Sequence, residues 1–302
     1  GGLKVRFDYY SATVETDPMT VLKTLSKLGD PTMTKRCDGL ARAYRYDNGW
    51  EIVHPDTGTV CKVLVADGKR PFAFASSDAT DAFTDAIREE WPTRHLVTRM
   101  DPCQDFYDES ARLKIRRLMR SVAKERRMHY QVIRSPLDRT AGQTTYLGSP
   151  SSSYRMRLYD KGWERFAHVQ ARLGRANVDP ASMTFTTSDG TLIRPADWIR
   201  AELQARPEGE EARRAAAAAT PEEAWGFSDW THELARRAFA LDLERAYIRL
   251  RKLSKDDEAL RWMVRQYRGP LQRLAEQLGG WDCVGLTLAE ICRDIQDQKN
   301  AS

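Results

Sequence analysis

Arg155, Arg157, Tyr159 and Lys161 recur at every second position and set one phenol among three cations. Successive side chains of a β-strand point to opposite faces. An extended backbone therefore gathers these four on one face and Tyr154, Met156 and Leu158 on the other. The second face is apolar and suits a core; the first does not. Fixed positive charge beside a phenol favours the phenolate and also binds a phosphodiester, so this face suits a tyrosine nucleophile acting on phosphate. An exposed strand with an ordinary surface tyrosine has the same alternation, and the pattern alone leaves both readings open.

Three carboxylates stand on comparable β-type runs. Leu3–Thr16 carries Arg6, Asp8 and Tyr10 on one face and Val5, Phe7 and Tyr9 on the other. Arg94–Tyr107 places Arg99, Asp101, Cys103 and Asp105 on one side if it stays extended, with Pro102 as an interruption that weakens Asp105. Asp197–Pro207 alternates Trp198, Arg200, Glu202, Gln204 and Arg206 with Ile199, Ala201, Leu203 and Ala205. Asp8, Asp101 and Glu202 also have structural readings: a surface aspartate, an ion pair with Arg99, and an Arg–Glu ladder in an antiparallel sheet.

Other elements must position these runs. Thr144–Leu147 and Tyr154–Lys161 are joined by a Gly/Ser/Pro turn, Gly148–Ser153. Asp17–Gly29 reads as a helix with Asp17 as cap and Pro18 in its first turn. Gly39–Phe74 reads as short β runs punctuated by Asp47-Asn48-Gly49, Asp56-Thr57-Gly58 and Asp67-Gly68, the signature of an antiparallel meander. Asp78–Trp91 is a predicted helix, Met128–Arg134 a strand, and a short helix follows Tyr159. Glu109–Arg127 is a basic helix, with eight cations and one acid between Arg112 and Arg127. It suits a phosphate backbone as well as it suits a solvated face.

β signals end near residue 207. Ala-rich Glu208–Ala219, a capping box at Thr220–Glu223, and amphipathic stretches at Asp229–Lys252, Asp256–Tyr267, Pro270–Leu278 and Leu286–Gln298 follow. The expected fold class is α+β: an N-terminal antiparallel-sheet domain with flanking helices (1–207), then an all-α module (208–302).

The 302 residues are 41% hydrophobic and 30% charged, with net charge +5, a balance that admits nucleic acid without demanding it. No apolar run is long enough to span a membrane, and no signal-peptide pattern opens the sequence. The five cysteines are widely spaced and include no C-x-x-C, which argues for free thiols in a reducing, cytoplasmic setting and against structural zinc.

The string from Gly142 to Glu164, G-x-T-x-Y-L-G-S-x-x-S-x-x-x-x-R-x-Y-D-K-G-x-E, resembles the signature of the replication initiation factor family, the HUH-like rolling-circle initiators. The D-Y-Y-S-A-T-V opening run, the R-x-D run at Arg99–Asp101 and the R-x-E run at Arg200–Glu202 also resemble that family's strands. Its members include plasmid initiators, filamentous-phage replication proteins and relaxases of conjugative elements. The resemblance implies an HUH-like endonuclease that nicks one DNA strand at an origin, keeps the 5′ phosphate on Tyr159 and later rejoins the strand.

Under that resemblance Arg157 and Lys161 take up the growing charge. Glu164, which matches Y-D-K-x-x-E, would orient Lys161 from behind or reach the metal, the first being preferred. Asp101, Glu202 and Asp8 would hold the metal. This chain has no H-x-H, so carboxylates would replace imidazoles, a donor set suited to Mg²⁺ or Mn²⁺. Arg155, Arg99 and Arg200, with Arg112, Arg116, Arg117 and Arg120 of the basic helix, would bind DNA. Tyr10 and Trp198 would stack bases or sit in the core.

The implied partners are an origin hairpin that is single-stranded at the nick, a second copy of the chain, and a host helicase. The C-terminal module would recognise the origin, a helix-turn-helix being one form. A relaxase of a mobile element and a non-catalytic sequence-specific DNA-binding protein remain as alternatives. A tyrosine recombinase is disfavoured, because Tyr159 lies on a β run rather than a helix.

Overall fold

The computed structural model describes residues 5–135, 138–173, 179–187 and 190–239, then 267, 269–277, 284, 287–288 and 291. The chain divides into two units, Gly1–Leu250 and Arg251–Ser302. In the second unit residues 269–277 are helical. The stretches expected as helices at 256–267 and 286–298, and any helix-turn-helix there, lie largely outside the described residues.

In chain order the first unit begins β1 (Arg6–Val14), α1 (Pro18–Leu25), β2 (Lys35–Arg36), α2 (Asp38–Ala43), β3 (Asn48–His54), β4 (Gly58–Val65), β5 (Phe72–Ser76) and α3 (Thr80–Glu90). It continues β6 (His95–Phe106), α4 (Glu109–Glu125), β7 (Tyr130–Arg134), β8 (Gln143–Leu147), β9 (Tyr154–Tyr159) and α5 (Lys161–Arg172). Last come a small hairpin, β10 (Phe185–Thr186) and β11 (Leu192–Ile193), then β12 (Ile199–Ala205), α6 (Glu210–Ala215), α7 (Pro221–Trp225) and α8 (Asp229–Phe239).

The result is an α+β fold built on one antiparallel sheet of ten strands, ordered β2-β3-β4-β5-β1-β6-β12-β9-β8-β7. The crossover that matters places β12 between β6 and β9, so the Asp101, Glu202 and Tyr159 strands are consecutive. Tyr159 pairs with Arg200 and Arg157 with Glu202 across β9–β12, while Glu202 pairs with Cys103 across β12–β6. Paired residues share a face. Arg155, Arg157, Tyr159, Arg200, Glu202, Arg99, Asp101 and Asp105 therefore share one face, and Met156, Leu158, Ala201, Leu203 and Met100 the other.

That second face is the core. Ile115, Met119 and Val122 of α4 bury in one cluster with Met156, Leu158 and Leu203, so the basic helix lies behind the sheet as seen from Tyr159. Trp225 and Phe239 join the same cluster, ring centroids 4.9 Å apart. Residues 210–239, expected to open a separate helical module, thus pack with the sheet, and the unit boundary falls at Leu250 rather than Pro207. Burying Trp225 and Phe239 on the sheet outweighs the change in sequence character at 207, which marks a change of secondary structure only.

Three local departures from the sequence reading bear on the site. Residues 38–43, expected as part of a β meander, form α2, whose Ala41 packs on Leu64 and Phe72 as a second small cluster. β6 continues through Pro102, which sits opposite Phe7 beside a register shift in β1, where a missing N–H costs the ladder least. That shift lies between Phe7 and Tyr9 and reverses the alternation. Tyr10 turns into the core, 0% exposed, while Tyr9 turns to the Tyr159 face.

Candidate active site

The β8–β9 hairpin closes with Gly148 at φ +96, where a Cβ would lie 2.7 Å from the Tyr154 carbonyl oxygen. Only glycine fits that turn. Directly after Tyr159, Asp160 accepts from the Gln143 amide at 2.7 Å and from Arg112 at 3.1 Å, which pins the start of α5. Gly162 lets α5 lie against the backbone of Pro195. The helix then runs along the open face of the sheet and walls a cavity of about 270 Å³ whose lining includes Asp8, Tyr9, Asp101, Arg157, Lys161 and Glu202.

Tyr159 itself does not line this cavity; it lies buried behind Glu202, which does, and its hydroxyl donates to Glu202 Oε2 over 3.3 Å. Arg157 Nη2 donates to the same oxygen at 2.7 Å. The Arg157 guanidinium lies 4.6 Å and Lys161 Nζ 5.7 Å from the Tyr159 ring centre. Lys161 is also held by Glu164 at 2.5 Å. Tyr159 is 5% exposed, so these cations cover it.

The expectation that the cations favour the phenolate is corrected here. Burial first, and the Glu202 charge second, push the phenol well above its ordinary value despite Arg200 and Arg157. The net direction follows from desolvation, which penalises the phenolate more than partly engaged guanidiniums reward it.

Glu202 and Asp101 are both almost wholly buried. Burial, then the Asp101 charge, raise Glu202 to about 7. Burial raises Asp101 too, although Arg99 Nε donates to it at 2.8 Å and the two carboxyl groups are in hydrogen-bonding contact. Two buried carboxyls are hard-oxygen donors of the kind Mg²⁺ or Mn²⁺ takes, and each is paired here with an arginine, Asp101 with Arg99 and Glu202 with Arg157, which a cation would have to displace.

Asp8 does not join them. Burial would raise it, but Arg200, Lys161, Arg6 and Arg157 together hold it below the ordinary carboxylate value. Arg200 Nη1 takes its Oδ1 at 2.7 Å. Among the described residues no three His, Cys, Asp or Glu side chains converge as a metal site would need. Asp8, Asp101 and Glu202 line one cavity, but each is held by its own arginine, Arg200, Arg99 and Arg157, so the expected three-carboxylate set does not converge on one point.

The expected DNA-binding residues separate into distinct groups. Arg200 is 1% exposed, with Asp105 taking Nε at 2.6 Å and Nη2 at 2.7 Å and Asp8 taking Nη1. Its donors are spent internally, so its expected contact with DNA is corrected to a buried ion network. Arg112 is bound to Asp160. Arg117 and Arg120 are exposed and Arg116 half-buried, but α4 puts them behind the sheet, away from Tyr159. Arg155 lies over the Tyr146 ring at 4.0 Å and Arg99 over the Tyr9 ring at 4.4 Å, both on the Tyr159 face. Neither aromatic expected to stack bases is open: Trp198 is 6% exposed, edge-on to Tyr107 and Phe185, and Tyr10 bonds His95 at 3.0 Å.

Sequence reasoning missed Tyr9, Ser77, Arg165 and His168, all of which line the cavity. Lys161, Glu164/Arg165 and His168 recur at helical spacing, so one face of α5 was readable. Ser77, at φ 60, left no signal.

No protein-family model matches this chain, and no curated protein matches it. Among solved structures it is similar to a rolling circle replication initiator protein from Geobacillus stearothermophilus, at 14% identity and a TM-score of 0.44, over 81% of this chain and 99% of that one. No helix among the described residues is long and apolar enough to cross a membrane.

Proposed function

We propose that this chain is a metal-dependent single-strand DNA nickase and strand transferase, a rolling-circle replication initiator with Tyr159 as nucleophile. The observation that supports it best is the Tyr159 hydroxyl donating to Glu202 beside Asp101, under Arg157 and Lys161. The sequence signature around Tyr159 adds to it, and is the sole support for a homodimer and a helicase partner.

In this reading a phosphodiester entering the cavity draws Arg157 and Lys161 off the phenol. Glu202 accepts the Tyr159 proton, and the phenolic oxygen attacks phosphorus. The phosphorus–3′-oxygen bond breaks, the 3′-oxygen leaves with a proton from water that the proton on Glu202 makes good, and the 5′ phosphate stays on tyrosine. Rejoining reverses these steps. Asp101 and Glu202 would hold a divalent cation, which supplies Lewis-acid polarisation of the phosphate. Arg157 and Lys161 bind the phosphoryl oxygens as charge grows on them.

A second reading, DNA binding without cleavage, is favoured by the burial of Tyr159. One gel separates the two. The chain is incubated with labelled single-stranded oligonucleotides and Mn²⁺ and run under denaturing conditions beside Tyr159→Phe. A slow-migrating covalent adduct with the native chain alone supports the proposal. An adduct that survives in the variant moves the nucleophile to another tyrosine, and DNA binding without adduct from a pool that includes the origin leaves the binding reading.

A further inference from the structure

Five aromatic rings run outward from the cavity on the Tyr159 face. Tyr9 lines the cavity and lies 6.0 Å from Phe74, centroid to centroid. Tyr44 stacks over both Phe74 and Phe72, at 5.9 and 5.7 Å with interplanar angles of 22° and 26°. Tyr46 stacks on Phe72 at 6.1 Å. The sheet register explains the alignment: Ser11 pairs with Phe74 and Thr13 with Phe72, so β5 turns these rings to the same face as Tyr9. α2 then ends at Ala43, and the residue that caps it, Tyr44, lands on them.

The outer end is not a finished core. Tyr44 is 47% exposed, with its inner face against Phe72 and Phe74. A solvent-facing phenol stacked on a rigid aromatic base is a platform. Cations border it at both ends. Arg99 lies over Tyr9, and Lys69 Nζ lies 5.3 Å from the Tyr46 ring. Lys35–Arg45 carries four cations and one acid. Arg42 and Arg45, both exposed, form no ion pair among the described residues.

We propose that this aromatic path from Tyr9 to Tyr44 and Tyr46 binds the unpaired bases of single-stranded DNA leading to the cavity, with the bordering cations on its phosphates. Rings offer a π-face to any base, and flanking cations follow a charged backbone, so the pairing of the two selects unpaired nucleic acid over a duplex or a neutral surface. The direction of the path, into the cavity, rests on the reading of Tyr159 as the cleavage site.

The test is fluorescence anisotropy with a labelled oligothymidylate of about twenty residues, in chelator, using the full chain. Tyr44→Ala should weaken binding about tenfold, while Tyr44→Phe, which keeps the ring, stays near the native affinity. Tyr44 caps a helix at the surface, and an unchanged far-UV spectrum would show that the variant folds. Native-like binding by Tyr44→Ala overturns the path and leaves the nickase reading standing. Equal affinity for a duplex, or tighter binding of the ribonucleotide equivalent, overturns single-stranded DNA as its occupant. Loss on Tyr44→Ala together with no covalent adduct upholds the path and overturns the nickase reading. No binding by the native chain overturns both.

Discussion

The Tyr159 hydroxyl and the Glu202 carboxylate form a donor–acceptor pair at 3.3 Å on adjacent strands. Without a cation, burial and Asp101 raise the acceptor to about 7, within the range of a base working near neutrality; a cation held by the same carboxylate would lower it. Glu202→Gln keeps the shape and an acceptor oxygen but takes no proton. The rate of adduct formation should fall about 100-fold or more, the usual contribution of a positioned base. A variant within a few-fold of the native rate, with native melting behaviour, would remove Glu202 from both the proton path and the cation site.

The same raised value fixes a pH dependence of stability. Glu202 moves from an ordinary 4.5 to about 7 on folding. The folded state then holds the proton more tightly than the unfolded chain. Stability from this group is present below pH 4.5 and is lost as pH rises through 7, with a slope of at most about 1.4 kcal/mol per pH unit. Asp101 is raised too and adds in the same direction. Asp8 is lowered, so its contribution holds above the ordinary value of 3.8 and is lost only in more acid solution. Urea midpoints in chelator should drop between pH 5 and 7, and Glu202→Gln should flatten the drop. Mn²⁺ bound by Asp101 and Glu202 should flatten it as well. An unchanged slope in the variant would place the titration elsewhere.

Much of the face around Tyr159 was legible because alternation in β6, β9 and β12 is regular, and regular alternation is written in the sequence. β1 was misread because a bulge has no signature of its own: Asp8-Tyr9-Tyr10 reads the same with or without the register shift, and only the pairing of Phe7 with Pro102 decides which tyrosine is buried. Arg200 was misread for a different reason. Its partners Asp8 and Asp105 lie on strands 192 and 95 positions away in sequence. A cation on a strand face looks available to DNA until that long-range pairing is known. Helix α2 was hidden by its short length, six residues followed directly by Tyr44 and Tyr46, aromatics that also suit a strand.

The Arg200 network is a second place where a substitution should be costly. Arg200 is fully inside the protein, and its charge is tolerated because Asp105 and Asp8 answer it. Asp105→Ala leaves a buried guanidinium short of one bidentate partner, which should destabilise the fold by about 3 kcal/mol, or lower Tm by roughly 10 °C. Arg200→Met with Asp105→Leu removes cation and bidentate partner together and should recover part of the loss, because a buried ion pair replaced by apolar groups is often near neutral. Thermal melts of both variants decide this. A near-native Tm for Asp105→Ala would mean that water reaches Arg200.

The position of α5 depends on a residue that touches no substrate. A Cβ on Gly162 would lie 2.1 Å from the Pro195 carbonyl oxygen and 2.6 Å from its Cα, contacts that only a backbone shift could relieve. Lys161 and Glu164 flank Gly162 on the helix, and Arg165 and His168 continue the same cavity wall. Gly162→Ala should therefore lower Tm by several degrees, the scale of roughly 1–3 kcal/mol expected for an overpacked contact. It should also slow adduct formation more than it weakens oligonucleotide binding, since Lys161 is displaced from the Tyr159 ring while the path through Tyr44 lies on a different element. Equal losses in rate and affinity would mean that α5 supports the whole open face, and no loss in either would mean that Pro195 yields without moving the helix.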